Sequence, residues 1–252
     1  MANINKKMQE RYTTGLKKFK PILAKAYDAD INESDTVTII TDMLEGVFGF
    51  EKLVNITSEY AIKKTYCDLA IKLNGEVKLL IECKAIGSKL NDDFIRQATN
   101  YAANEGIEWA ILTNGIEWKV YNIIFTQPVI SKLLYDFNFV DLNLKKDEDL
   151  DMLYCLSIES FGKSSKSGLD ELKEKKNIMN RFMIGQLILS DASCEQIRKT
   201  LRKLFPELKP SVDDIRQIII SEVLKRDIIE GDETNDAKKR LSAIERKLKR
   251  KA

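Results

Sequence analysis

Histidine is absent from all 252 residues, and that absence removes whole classes of chemistry. No Ser-His or Cys-His nucleophile pair can form, and zinc binding through imidazole is excluded. Cysteine is scarce: four residues, at 67, 83, 155 and 194, with no C-x-x-C spacing. Cys67 and Cys83 alternate into apolar strand faces, so buried free thiols are expected rather than metal ligands or disulfides. No apolar run reaches the ~20 residues that span a bilayer. The polar N-terminus has no signal-peptide pattern, and together these features point to a cytoplasmic protein without a membrane partner. The only Gly-Lys-Ser, Gly162 to Ser164, has Ser157 where a phosphate-binding loop needs its first glycine, so it is no ATP site. Repeats and long low-complexity tracts are also missing.

A strong overall charge is lacking too, with 41 basic against 39 acidic residues and a net charge of +2. The average conceals a tail: residues 236–252 hold eight basic residues and two acids, a net +6 that leaves −4 for the remainder. Such a tail can neutralise backbone phosphates without reading sequence, or it can be a solvated helix end. Leu241, Ile244 and Leu248 fall at helical spacing within it.

Against these absences stand two apolar runs, Tyr66 to Leu73 and Val77 to Lys84. Asn74-Gly75-Glu76 lies between them and signals a hairpin, because Asn and Gly tolerate positive φ. Period-two alternation puts Lys78, Leu80, Glu82 and Lys84 on one face of the second strand, and Tyr66, Asp68 and Ala70 on one face of the first. An acid inside such a strand is costly if dry and unpaired, and a bound cation or Lys84 would relieve it. Glu-x-Lys by itself means little, since it occurs seven times in the chain. Only Glu82 combines a strand context with a partner acid in the preceding strand. Mg²⁺ takes oxygen ligands and is commonly held by one or two carboxylates, so Asp68, Glu82 and the Cys83 carbonyl oxygen suit it, with Mn²⁺ as a substitute. Lys84, with an ordinary pKa near ~10.4, suits charge stabilisation better than proton abstraction. The base role then falls to metal-bound hydroxide.

Further elements surround the pair. Asn91 or Asp92 can cap a helix running to about Asn104, on which Phe94, Gln97, Ala98, Tyr101 and Ala102 share one side, so that Gln97 faces inward. Asn114-Gly115 turns a second hairpin within Trp109 to Tyr121. Upstream, Ser34 or Asp35 can cap a helix bearing Ile39, Met43 and Val47, with Glu45 on another flank. Residues 1–35 hold a lysine-rich amphipathic helical stretch interrupted at Pro21.

The order of an acid-bearing helix (Glu45), a strand with Asp68, Ile81-Glu82-Cys83-Lys84-Ala85, Arg96 to Ala102 and Ile111 to Tyr121 resembles the nuclease domain at the N-terminus of type I restriction enzyme R subunits. That family belongs to the PD-(D/E)xK nucleases, and the likeness covers roughly residues 36–125. The resemblance implies that Asp68 and Glu82 ligate Mg²⁺, that Lys84 positions or polarises the attacking water, and that Glu45 completes the metal shell. Gln97 and Tyr101 match the family's QxxxY element, which supports the active site and nucleic-acid contacts. Cys67 replaces the proline that often precedes the aspartate, and the translocating motor of a type I subunit is absent.

The expected fold is therefore α/β, a restriction-endonuclease-like mixed sheet flanked by helices, with a C-terminal helical region. Residues 1–142 are assigned to the nuclease domain and its helical extension, and 143–252 to the helical region with its basic tail. Gly162 to Gly168 is the linker candidate. Helices are predicted over 150–158, 169–189, 193–204 and 212–229. Ile178, Met179, Phe182, Met183 and Leu187 on one and Ile215, Ile218, Ile219, Val223 and Leu224 on another form apolar stripes, suited to a small bundle or a homodimer. The expected function is Mg²⁺-dependent endonucleolytic cleavage of DNA in restriction or phage defence, with a protein partner supplying recognition or translocation. The competing class is an inactive nuclease-fold module serving as a nucleic-acid-binding or scaffold subunit.

Overall fold

Alternating side chains and two Asn-Gly turns build the centre of the protein. In the computed structural model, which describes residues 4–62, 65–162 and 166–249, six strands form one mixed sheet. They are β1 (Ile56–Ile62), β2 (Thr65–Leu73), β3 (Glu76–Cys83), β4 (Trp109–Thr113), β5 (Glu117–Ile124) and β6 (Ile130–Asn138), adjacent in chain order. All neighbours run antiparallel except β3 and β4, which are parallel. A parallel pair needs a crossover, and α3 (Asp92–Glu105) supplies it. The β2–β3 turn takes the expected form, with Asn74 and Gly75 at φ +54° and +83°. Two strands, β1 and β6, were not anticipated. Side chains of residues 59–66, and with them Tyr66, lie outside the described set.

Helices cover both faces. On one, Ile95, Ala98, Tyr101 and Ala102 of α3 pack on Ala70, Leu80, Ala110, Leu112, Tyr121 and Ile123. On the other lie α1 (Lys6–Asp28) and α2 (Glu33–Gly46), whose following loop sets Phe48 5.4 Å from the Trp118 ring. The α1 helix runs unbroken through Pro21, contrary to the interruption expected there. Pro21 and Lys17 are both exposed, so the carbonyl that proline leaves unpaired faces water, while Tyr12, Leu16, Phe19 and Leu23 bury the opposite stripe. Arg11 closes this layer: its guanidinium holds both Glu159 oxygens at 2.7 Å and the Val47 carbonyl at 2.9 Å.

The chain divides into two compact units, Met1–Asp170 and Glu171–Ala252. The segment 143–170, grouped by sequence with the helical region, belongs to the first. There α4 (Asp147–Cys155) and α5 (Ile158–Phe161) are tied to the α1 layer: Tyr12 and Ser157 share a 2.9 Å hydrogen bond, and Ile158 N–H donates to Phe48 O. Residues 163–165 of the linker candidate lie outside the described residues.

The boundary falls within α6 (Gly168–Ile178), and the second unit continues through α7 (Arg181–Ile188), α8 (Asp191–Leu204), α9 (Val212–Ile218), α10 (Arg226–Ile229) and α11 (Asp232–Lys249). The long predicted helices break at side-chain caps: Asn180 caps α7, Ser190 caps α8, and Ser211 with Asp214 makes a capping box on α9. Of the two apolar stripes, Met183, Ile215 and Ile219 are buried, whereas Ile178, Met179, Leu187, Ile218 and Val223 remain exposed. All four cysteines are free and buried, as expected.

Candidate active site

Strand register creates the site. Leu69 pairs with Ile81, so one step further Asp68 stands across from Glu82, and the Cys83 N–H donates to Asp68 Oδ2 at 2.7 Å. Lys84 N–H bonds Thr113 O at 2.9 Å, which keeps the end of β3 on β4 and holds the Lys84 side chain beside Glu82. Its Nζ donates to Glu82 Oε1 at 2.9 Å. Glu82 is 5% exposed and lies on the α3 side of the sheet, whose apolar side chains strip it of water.

The electrostatics follow from burial. Desolvation, then the Asp68 charge, pushes the Glu82 carboxyl above its ordinary value, and the contact with Lys84 only partly offsets them. Burial works against the Lys84 ammonium too, but Glu82, Glu33 and Asp68 outweigh it and raise its pKa. The lysine is therefore protonated at neutral pH. Cys67 is pushed up to about 12, chiefly by burial, and Cys83 is raised well above the usual thiol value, which makes neither a nucleophile.

The structure adds two residues that sequence did not single out. Glu33, in the first turn of α2, places Oε2 3.5 Å from Lys84 Nζ, and Phe94 sets its ring centroid 5.5 Å from the same ammonium. Asn32, not Ser34 or Asp35, caps α2, and so brings Glu33 into the first turn. Glu33 lies 51 positions before Lys84 in the chain, and an acid after an N-cap reads as ordinary dipole complementation. Glu45 goes elsewhere: its carboxylate accepts from the Lys52 backbone N–H and lies 3.7 Å from Lys52 Nζ. It lies twelve positions along α2 from Glu33, about 18 Å of helix axis. Gln97 is exposed rather than inward-facing, and donates to the hydroxyl of buried Tyr101 at 3.0 Å. The buried side of α3 is carried by Ile95, Ala98, Thr99 and Ala102.

A divalent cation can be tested against this donor set. Glu82 Oε2 is buried with no hydrogen-bond partner among the described residues, an acceptor that a cation would satisfy. Among those residues no three acidic or thiol side chains converge as a closed cage. Two carboxylates suffice for Mg²⁺, which keeps waters and binds substrate phosphate. Asp68 and Glu82 fit it, with the Cys83 carbonyl as the further oxygen the sequence suggests.

Among the described residues no helix is long and apolar enough to cross a membrane. Residues 48–137 match the family model described as type I restriction enzyme R protein N terminus. The match takes in all six strands up to Phe137, together with Asp68, Glu82, Lys84, Gln97 and Tyr101, and leaves Glu33 and Glu45 outside. No curated protein and no solved structure matches the chain.

Proposed function

We propose, on the premise that residues 48–137 belong to the type I restriction enzyme R protein N-terminus family, that this chain is a metal-dependent endonuclease hydrolysing DNA phosphodiester bonds. Mg²⁺ is the resident ion in this reading, Mn²⁺ a substitute, and a protein partner supplies recognition or translocation. The observation that carries it is the buried Glu82 Oε2, without a hydrogen-bond partner among the described residues, beside Asp68 and Lys84. A strand acid that serves only the fold would have its oxygens satisfied. The coexistence of Asp68, Glu82 and Lys84 in one contact network also speaks against an inactive scaffold.

Asp68 and Glu82 would hold the cation, which when bound supplies Lewis acidity toward a phosphoryl oxygen and a more acidic water. The rest is done by the chain. The Cys83 N–H fixes the Asp68 carboxylate in one orientation before substrate arrives. Lys84, kept protonated by its acidic neighbours, presents a compact charge toward the oxygens that become more negative in the transition state. Its raised pKa makes it a poor base. Phe94 lies against the ammonium and limits its hydration, which strengthens that interaction.

Cleavage of supercoiled plasmid and single-stranded DNA with Mg²⁺, Mn²⁺ or EDTA tests this, comparing wild type with Asp68→Ala and Lys84→Ala. Metal-dependent cleavage lost in both variants is expected, with a fall of at least ~10²-fold for Lys84→Ala. Equal rates in wild type and Lys84→Ala would refute the assignment.

A further inference from the structure

The two Asn-Gly turns of the sheet use their asparagines differently. Asn74 is exposed and stands at φ +54°, so its backbone conformation calls for that residue. Asn114 is 4% exposed and has no positive φ, since only Gly115 does in that turn, at +86°. Its side chain must then account for it. Oδ1 accepts from the Ile116 and Glu117 N–H groups at 3.0 and 2.7 Å, which shapes the turn, and an aspartate would do as much. Nδ2 donates out of the turn, to Ile86 O at 3.1 Å and Ser88 O at 3.0 Å. The amide is thus saturated, half by its own turn and half by a segment 28 and 26 positions earlier.

That segment leads from Lys84 to Phe94, whose ammonium and ring meet at 5.5 Å. Residues 84–91 form neither helix nor strand, yet Ile86 and Leu90 are buried, so their carbonyls need partners. The second hairpin supplies them. Besides the Lys84 N–H to Thr113 O bond and the two from Asn114, Lys119 Nζ donates to Leu90 O at 3.0 Å. The Tyr121 hydroxyl donates to Asp92 Oδ1 at 2.9 Å, at the start of α3. The hairpin therefore grips every second residue from Lys84 to Asp92. Asn114 makes the two bonds that follow Lys84 most closely. They bracket the chain just past the ammonium-bearing residue, where a misplacement of ~1 Å costs about 10²-fold in rate.

We propose that Asn114 is a positioning residue of the active site: by holding the Ile86 and Ser88 carbonyls it fixes the segment that sets Lys84 and Phe94, while touching neither substrate nor cation. The inference rests on the nuclease reading for what Lys84 does. It separates the two halves of one side chain, the acceptor serving the turn and the donors serving the site.

The test is Asn114→Asp in the full chain, which keeps the turn acceptor and turns the donor end into an oxygen facing two carbonyls. Ionised, that oxygen repels both, and protonated it serves only one. In cation-free protein, amide exchange followed by NMR should be about tenfold or more faster at Lys84 and Ser88, with Ile116 and Glu117 unchanged. With Mg²⁺ and duplex DNA, kcat should fall about 10- to 10²-fold while KM stays within about threefold, because Lys84 acts in the transition state. Arg11→Met, which breaks the bond to Glu159 away from the site, is the control for lost stability and should keep its kcat. An unchanged kcat in Asn114→Asp overturns the proposal, as does unchanged exchange at Lys84 and Ser88. So does an equal fall in Arg11→Met. If Asn114→Asp does not fold, Lys119→Met removes the Leu90 bond alone and should show both effects more weakly; absence of both overturns the proposal. Wild type that cleaves with no cation would sink the nuclease reading, and the exchange rates would still decide whether Asn114 holds the segment.

Discussion

Glu82→Gln should stabilise the cation-free protein and abolish its stabilisation by cation. The Glu82 carboxyl is raised by burial and by Asp68, with Lys84 opposing. The folded state thus prefers the neutral form. The cost of the charge is absent below the ordinary carboxylate pKa, grows between that value and the raised one, and is fully present above it. Leaving a buried acceptor such as Oε2 unsatisfied costs about 1–3 kcal/mol. Glutamine also weakens the 2.9 Å bond from Lys84, which leaves a net gain of about 1 kcal/mol. For a unit of this size that is about 2–4 °C in Tm. A cation at ten times its Kd adds about 1.4 kcal/mol to the wild type, or about 3–6 °C, and the variant should forgo most of it. Melting both proteins at pH 7.5 in EDTA and in excess MgCl2 or MnCl2 measures each quantity. A Glu82→Gln protein that melts below wild type in EDTA, or gains as much from cation, would refute the reasoning, and the EDTA difference should shrink near pH 4.

Glu33→Ala should slow cleavage, because it removes the carboxylate 3.5 Å from Lys84, whereas Glu45→Ala should leave the rate within about twofold, its partner being Lys52. Single-turnover cleavage of one duplex by both variants decides which acid of α2 serves the site. Arg11→Met should cost about 2–4 kcal/mol, since it leaves a Glu159 side chain that is only 24% exposed without its bidentate partner. Urea unfolding checks this, and Arg11→Met combined with Glu159→Gln should recover part of the loss; no recovery would show that the pair is not what holds α1.

How far the sequence can be read depends on whether a feature is local. The β2–β3 and β4–β5 hairpins are written in Asn74-Gly75 and Asn114-Gly115 and in period-two alternation, which are short-range signals. The strands β1 and β6 are edge strands, and β6 in particular is mostly exposed or half-buried, so it lacks the dense apolar run that marks a central strand. The inward placement expected of Gln97 fails for a related reason. An i, i+3, i+4 set defines an arc, not its centre, and the burial of Ile95 and Thr99 turns α3 so that Gln97 comes out to solvent. In the second unit the apolar residues were legible but the breaks were not, because Asn180 and Ser190 cap new helices inside one continuous apolar pattern.

The candidate site divides along the same line. Asp68, Glu82 and Lys84 sit on paired strands across a two-residue turn, so sequence distance and spatial distance are tied by register, and their meeting could be anticipated. The helix acid is different, because α2 joins the site only through tertiary packing. Glu33 and Glu45 sit on one helix with equal formal charge, and nothing local says which end abuts β3. Lys84 resolves it: a 17% exposed ammonium needs more than one acid when Glu82 itself is strained by Asp68, and the N-terminus of α2 provides the second. The same residue thus balances two unfavourable burials, the Glu82 charge and its own. Removal of either neighbour should therefore shift the other in a direction the present arrangement dictates: Glu33→Ala lowers the Lys84 pKa, and Lys84→Ala raises that of Glu82 further. Carboxyl titration by NMR in Lys84→Ala, without cation, should show that upward shift, and a Glu82 carboxyl that titrates lower than in wild type would mean that Lys84 is not its counter-charge.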